Sequence, residues 1–246
     1  MTFFLIFLVA TWAGAQNALA GGGSFLILPT LMFSGLDARA ANITSCVALF
    51  PGQIATGWAG RTHAGGVAGL SLRALFLISI LGGALGAAIL LLTPSAFFAR
   101  LVPWLVLFAT GVFVWGGFFR KAAKISGHLG PLPAGLAQFA ISVYGGYFGG
   151  GIGFLMMAAL TLAGEKARTA SATKNVLAAV MNASAVLIFL FSPQLCWPQA
   201  LATAVGATLG GLFGVRVLHR LNERTQRLAI AVIGAALTVG LFLTQG

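Results

Sequence analysis

Apolar residues come in long unbroken runs along this chain, and charge interrupts them only at wide intervals. Residues 1–36, 40–60, 74–99, 101–119, 125–164, 175–215 and 228–246 contain no Asp, Glu, Lys or Arg. A bilayer-crossing helix needs about 20 consecutive, mostly apolar residues. Each run meets or approaches that length, and the two longest meet it twice over. The pattern predicts an all-α, multi-pass membrane protein. A Gly-interrupted apolar segment comes first (2–33), followed by spans near 38–60, 72–93 and 101–119. A second Gly-interrupted segment (132–163) then precedes spans near 167–190, 197–216 and 227–245.

That order is a repeat. Shifted by 129 positions, GGGSFLILPTLMFSGLDARAANITSCVALF, from Gly21, lies over GGIGFLMMAALTLAGEKARTASATKNVLAA, from Gly150, with eleven of thirty positions identical. About three would match by chance in so Ala-, Leu- and Gly-rich a chain. The shared residues include Gly21/Gly150, Gly22/Gly151, Phe25/Phe154, Gly35/Gly164, Arg39/Arg168 and Thr44/Thr173. The sequence divides into a first membrane repeat (1–122), a linker (123–133) and a second repeat (134–246).

Basic residues choose between two topologies. If each Gly-interrupted segment crosses the membrane once, Lys and Arg divide five against eight between the faces. If each enters, turns at its glycines and returns, Arg61, Arg73, Arg120, Lys121, Lys124, Lys166, Arg168, Arg216, Arg220, Arg224 and Arg227 share one face, against Arg39 and Arg100. Eleven against two is the bias that cytoplasmic loops show. The re-entrant topology places both termini outside the cytoplasm. It gives each repeat an odd number of net crossings, so the two are inverted, an architecture secondary transporters use with a site near the midplane.

Composition narrows the function. Only 7% of residues are charged, against about 25% in soluble domains, which excludes a soluble enzyme, a secreted disulfide scaffold and a disordered chain. The formal charge of +11 is accounted for by cytoplasmic loops; no basic stripe interleaved with aromatics suggests nucleic acid. Cys46 and Cys196 lie in separate segments without metal-type spacing, so no metal or other cofactor is expected. Residues 1–20 lack a basic leader region and read as a first membrane element. No span holds a carboxylate or histidine, which removes the usual parts of a proton relay or a sodium site. No nucleophile–base pair or phosphate loop suggests an enzyme.

Candidate binding residues cluster at the interruptions and on the helix after each. Gly21, Gly22, Gly23 and Ser24 mark the first break; Gly149, Gly150, Gly151 and Gly153 belong to the second. Irregular backbone at membrane depth survives only where protein or a wet cavity satisfies it, and a helix restarting there offers free amides and a positive dipole end to an anion. Tight helix crossing through small residues is the competing explanation. At 100° per residue, Asn42, Ser45, Cys46, Leu49 and Gln53 share one face; the repeat sets Ser171, Lys174, Asn175, Ala178 and Asn182 on the matching face. Two matching polar stripes suggest a lined pathway rather than isolated interhelical hydrogen bonds. Lys174 lies well inside a span, either as counter-charge to an anion or snorkelling to the surface.

These residues resemble the TauE/SafE family of membrane anion exporters. The resemblance is carried by ALAGGGSFLILPTL (18–31), ARAANITSCVALFPG (38–52), ARLVPWLVLFATGVFVWGG (99–117), YGGYFGGGIGFLMMAALTLAG (144–164) and ARTASATKNVLAAVMN (167–182). One departure is Ala158 where the first repeat has Pro29. The resemblance implies export of sulfite or an organosulfonate such as sulfoacetate across the cell membrane. It places Gly21, Gly22, Gly23, Asn42, Thr44, Gly149, Gly150, Gly151, Thr173, Lys174 and Asn175 among the motif residues. The expected protein is an alternating-access carrier for a small anion, embedded in lipid. Uptake of such an anion, a channel and a non-transporting scaffold are the alternatives.

Overall fold

In a computed structural model, which describes residues 2–19, 23–115, 130–214 and 223–245, the chain is helical. Helices α1 (Thr2–Leu19), α2 (Ser24–Phe33), α3 (Ala38–Gly60), α4 (Leu72–Leu92) and α5 (Ser95–Val114) form the first half. Helices α6 (Pro131–Tyr147), α7 (Ile152–Leu162), α8 (Ala167–Phe189), α9 (Trp197–Leu209) and α10 (Glu223–Gln245) form the second. A π-helical turn, Gly210–Gly214, continues α9. Among the described residues, three helical stretches are long and apolar enough to cross a membrane: Leu72–Leu92, Ser95–Val114 and Arg168–Phe189. Helix α5 starts six residues before the expected 101, because Pro94 ends the preceding turn. Arg100 does not interrupt it, since a long basic side chain can lie along a helix and keep its head polar.

Local chemistry fixes the helix ends. The Asp37 carboxylate accepts the Arg39 and Ala40 N–H groups at the start of α3, and Ser71 Oγ accepts Ala74 N–H at the start of α4, both as N-caps. Helices α2 and α7 stop in the same way. Gly35 and Gly164 take left-handed φ values of 98° and 94°, and the Leu36 and Glu165 N–H groups reach back to the Leu31 and Leu160 carbonyls. This is the glycine C-terminal motif, placed twice at the 129-residue offset.

The halves pack through each other. Helix α4 lies against α6 and α8, and α9 lies against α1 and α3; exchanging the halves converts one set into the other. Residue contacts give directions. Gln53, Gly57 and Gly60 of α3 meet Asn182, Ala179 and Ala172 of α8 in that order, so these helices run antiparallel. Gly69 lies beside Pro131, Ser79 bonds Gln138 and Gly86 abuts Tyr147, so α4 and α6 run parallel. Phe7 faces Gly206 and Thr11 faces Gly210, so α1 and α9 run parallel. Several of these crossings bring backbones together at glycine, as in other helix pairs that associate without a hydrophobic drive from water.

Two ends follow. At one, which we term the basic end, the 61–71 loop meets the start of α6 at Pro131 and clusters with Leu160 and Ala163 at the end of α7. Helices α6 and α7 therefore leave from and return to the same end. At the other end, the Arg39 guanidinium donates to the Leu91 and Thr93 carbonyls closing α4. There, too, the Cys196 N–H before α9 donates to Thr44 Oγ1. Helix α1, parallel to α9, begins at this second end and α2 returns to it.

Candidate functional site

The start of α2, the turn between α6 and α7, and one face of α3 surround a narrow cavity. Ser24, Phe25 and Leu28 contribute from α2; Asn42, Ser45, Cys46, Leu49 and Gln53 from α3; Phe148, Gly149 and Gly150 from the turn; and Asn182 from α8. Its volume of about 10 Å³ suits one water molecule.

Each wall has a local cause. The first acceptor inside α2 is the Gly23 carbonyl, taken by Leu26 and Ile27. Ser24 and Phe25 thus open the first turn of α2. The second break turns through Gly149 and Gly151, at left-handed φ values of 77° and 75°, a conformation glycine adopts without steric cost. A Cβ on Gly151 would also stand 2.8 Å from that of Ala109. Asn42 pins the turn from the other half, its Nδ2 donating to the Tyr147 carbonyl at 3.1 Å. The α3 stripe faces inward because the polar residues sit one helical turn apart, with buried Ile43, Ala48 and Thr44 on other faces.

Gln53 and Asn182 close the cavity's inner end. Asn182 Nδ2 donates to Gln53 Oε1 at 2.6 Å. The two residues are 129 positions apart, the repeat's own offset. Asn182 is 1% exposed, and its Oδ1 has no protein partner. An unpaired buried amide oxygen carries a desolvation cost of about 1–3 kcal/mol, which a donor in the cavity would relieve.

The sequence-derived residues separate into three groups. Ser24, Asn42, Ser45, Gln53, Gly149, Gly150 and Asn182 line the cavity. Gly23 stands next to it, its N–H directed to Asn17 Oδ1 at 3.4 Å; Gly21 and Gly22 lie outside the described residues. The others sit elsewhere. Thr44 and Thr173 are fully buried and hold loops, Thr44 accepting Cys196 N–H at 3.2 Å and Thr173 accepting Gly65 N–H at 3.1 Å. Ser171, Lys174 and Asn175 are half-buried on α8 and do not line this cavity. Lys174 lies over the start of α7, its Nζ 3.9 Å from where a Cβ on Gly153 would be.

The sequence reading did not single out Leu28 and Phe148, which with Phe25 give the cavity an apolar wall. Their signal was position alone, next to a break. It also passed over LGGALG (81–86) and LGGLFG (209–214). These glycines press α4 onto Val143, Ser142 and Met181, and α9 onto Thr11.

The cavity lies among interleaved apolar helices, between the start of α2 and the turn that joins α6 to α7. The profile of the sulfite exporter TauE/SafE family matches residues 6–241, and the chain belongs to that family. It is similar to a probable membrane transporter protein of Haemophilus influenzae, 25% identical over 98% of this chain and 95% of the relative. It is also similar to the probable membrane transporter protein YfcA of Escherichia coli K12, 26% identical over 96% of this chain and 88% of the relative. No solved structure matches it. The protein is a membrane transporter, not an enzyme.

Proposed function

We propose that this transporter exports a small oxyanion, sulfite or an organosulfonate such as sulfoacetate, by alternating access between two inverted repeats. The carrying observation is that Ser24 and Phe25 of one break and Gly149 and Gly150 of the other line one cavity. Antiparallel contact of the equivalent helices α3 and α8, and packing that survives exchange of the halves, support the inverted relation. Helices α2 and α7, of 10 and 11 residues, span about 15 Å, half the hydrocarbon core, which sets both breaks near mid-depth. Arg61, Arg73, Lys166 and Arg168 gather at the basic end, which we assign to the cytoplasm; both termini then lie on the non-cytoplasmic side of the cell membrane. The repeats are 1–122 and 134–246.

In this reading the anion is held by helix-start amides and by Asn42, Ser45 and Gln53, with Asn182 accepting from a protonated oxygen or a water. Efflux needs no coupling ion, since each negative charge gains about 2.3 kcal/mol per 100 mV on leaving a cell that is negative inside. A cavity the size of one water is too small for such an anion, which enters only when α2 or α3 shifts.

Proteoliposomes loaded with radiolabelled sulfite or sulfoacetate test this. Saturable efflux, stimulated by the same anion on the far side, is expected. Ser45→Leu, which overfills the cavity at a cost of about 1–3 kcal/mol, should slow it about tenfold or more when equal amounts of folded protein are compared. Non-saturable flux would make the protein a channel, flux of neither anion would remove the substrate assignment, and wild-type flux in Ser45→Leu would remove the cavity from the path.

A further inference from the structure

The cavity is polar and carries no charge. None of its lining residues is ionic, and Phe25, Leu28 and Phe148 make part of its wall apolar. Asn42 Nδ2 is already committed to the Tyr147 carbonyl. What stays open is the Gln53–Asn182 pair. A single hydrogen bond joins the two amides, from Asn182 Nδ2 to Gln53 Oε1 at 2.6 Å. Each primary amide holds one carbonyl oxygen and one NH2 group. One bond between them therefore leaves an oxygen and an NH2 group unused, whichever way round the two amides are turned. The unused oxygen, Asn182 Oδ1, has no protein partner, although its residue is 1% exposed.

The pair belongs to both repeats at once. Gln53 and Asn182 stand 129 positions apart, so each is the other's equivalent, and α3 and α8 run antiparallel where they meet. In the inverted-repeat reading, a bond between equivalent positions lies on the axis that relates the repeats, and exchanging the repeats leaves it in place. An anion that passes between the two breaks meets this pair whichever side is open.

We propose that the Gln53–Asn182 pair selects the charge and protonation state of the transported anion: the site takes singly charged oxyanions that carry one hydroxyl or amino hydrogen. Asn182 Oδ1 accepts that hydrogen, and the Gln53 amide donates to another oxygen of the same anion. A carbonyl oxygen repels an anion whose oxygens offer only lone pairs. An uncharged, partly apolar cavity also holds nothing to balance a second negative charge. Hydrogen sulfite and hydroxyalkanesulfonates meet both conditions. The sulfite dianion and ionised sulfoacetate, doubly charged and without a donor, meet neither. Asn182 is then the residue that determines specificity. The inference rests on the anion-transport reading above and narrows its substrate class.

Protection of Cys46, which lines the same cavity, reads binding without transport. In a Cys196→Ser background, neutral N-ethylmaleimide labels Cys46 as the cavity opens, and unreactive sulfonates compete with it. Propanesulfonate and hydroxyethanesulfonate have the same charge and the same number of non-hydrogen atoms, and differ by a methyl group in place of a hydroxyl. Hydroxyethanesulfonate should protect at about tenfold lower concentration than propanesulfonate, the size of effect one hydrogen bond gives, and sulfoacetate should protect least. Asn182→Leu, similar in size and without the unused oxygen, should bring the first two within about twofold of each other. The wild-type series stands by itself should that variant not fold. Equal protection by all three, protection by none, or a hydroxyl preference that survives Asn182→Leu would overturn the proposal. In proteoliposomes with equal total sulfite and the same pH on both sides, sulfite efflux should fall with hydrogen sulfite as pH rises through the second ionisation of sulfurous acid. Efflux of hydroxyethanesulfonate, whose charge does not change over that range, is the reference. Sulfite efflux that rises with the dianion also overturns the proposal. A hydroxyl preference at Cys46 with no sulfite flux would overturn the sulfite assignment and leave the selection rule standing.

Discussion

The two breaks begin from similar glycine-rich sequence and are held in different ways. The second is locked by its backbone: Gly149 and Gly151 are left-handed, Gly151 abuts Ala109, and Asn42 ties Tyr147 from the other half. The first, where described, is held from within its own half. Gly23 keeps a right-handed conformation with φ −55° and ψ −30° and donates to Asn17 in the preceding helix. Beyond the breaks the symmetry returns, with Gly35 matching Gly164 and the Thr44 bond matching the Thr173 bond. Repetition thus fixes the scaffold, and the repeats differ in how their two breaks are held.

If the second break is the rigid wall, Gly151→Val is the most damaging single change. It places a β-branched residue at a φ of 75° and drives its Cβ against Ala109. The expected cost is about 3 kcal/mol or more, read as a large fall in thermal stability in detergent and loss of flux. Gly35→Ala isolates the backbone part, because its φ is 98° and nothing lies within 4 Å of the added carbon. That variant should lose about 1–2 kcal/mol and keep its flux. Equal costs in the two would mean that contact with α5 contributes nothing.

Much of this was legible before any coordinates. The apolar runs and their Gly and charged interruptions gave helices at 38–60, 72–93 and 167–190 within a residue of their observed bounds. The 100° arithmetic on α3 found the stripe that lines the cavity, since helical phase depends on sequence alone. The role of Thr44 and Thr173 was not legible: a shared threonine marks a repeated environment, and only the tertiary structure shows that the environment is a loop amide. The paired LGGxxG segments were missed because they match at an offset of 128, one residue away from the rest. Apolar walls such as Phe148 carry no pattern of their own and become visible only when distant segments meet.

The Asn42 bond sharpens the comparison at intermediate size. Asn42→Ala leaves the half-buried Tyr147 carbonyl without its donor, at about 1 kcal/mol, and loosens the turn that carries Gly149 and Gly150. Sulfite turnover should fall with stability. Ser171→Ala, at the equivalent position on α8 and away from the cavity, should stay within about 0.5 kcal/mol. Matching losses in both would show that the two breaks are held alike after all.

The smallest expected effect is the most symmetric. Thr44→Val and Thr173→Val each remove the acceptor of one loop amide, Cys196 N–H at one end and Gly65 N–H at the other. Each should cost about 1 kcal/mol, and because the sites lie at opposite ends of the bundle the double variant should lose their sum. Neither should alter the KM for sulfite. A raised KM in Thr44→Val at unchanged stability would instead make its hydroxyl a ligand, as the family resemblance implies. The contrast between a symmetric scaffold and an asymmetric site would then need redrawing at that position.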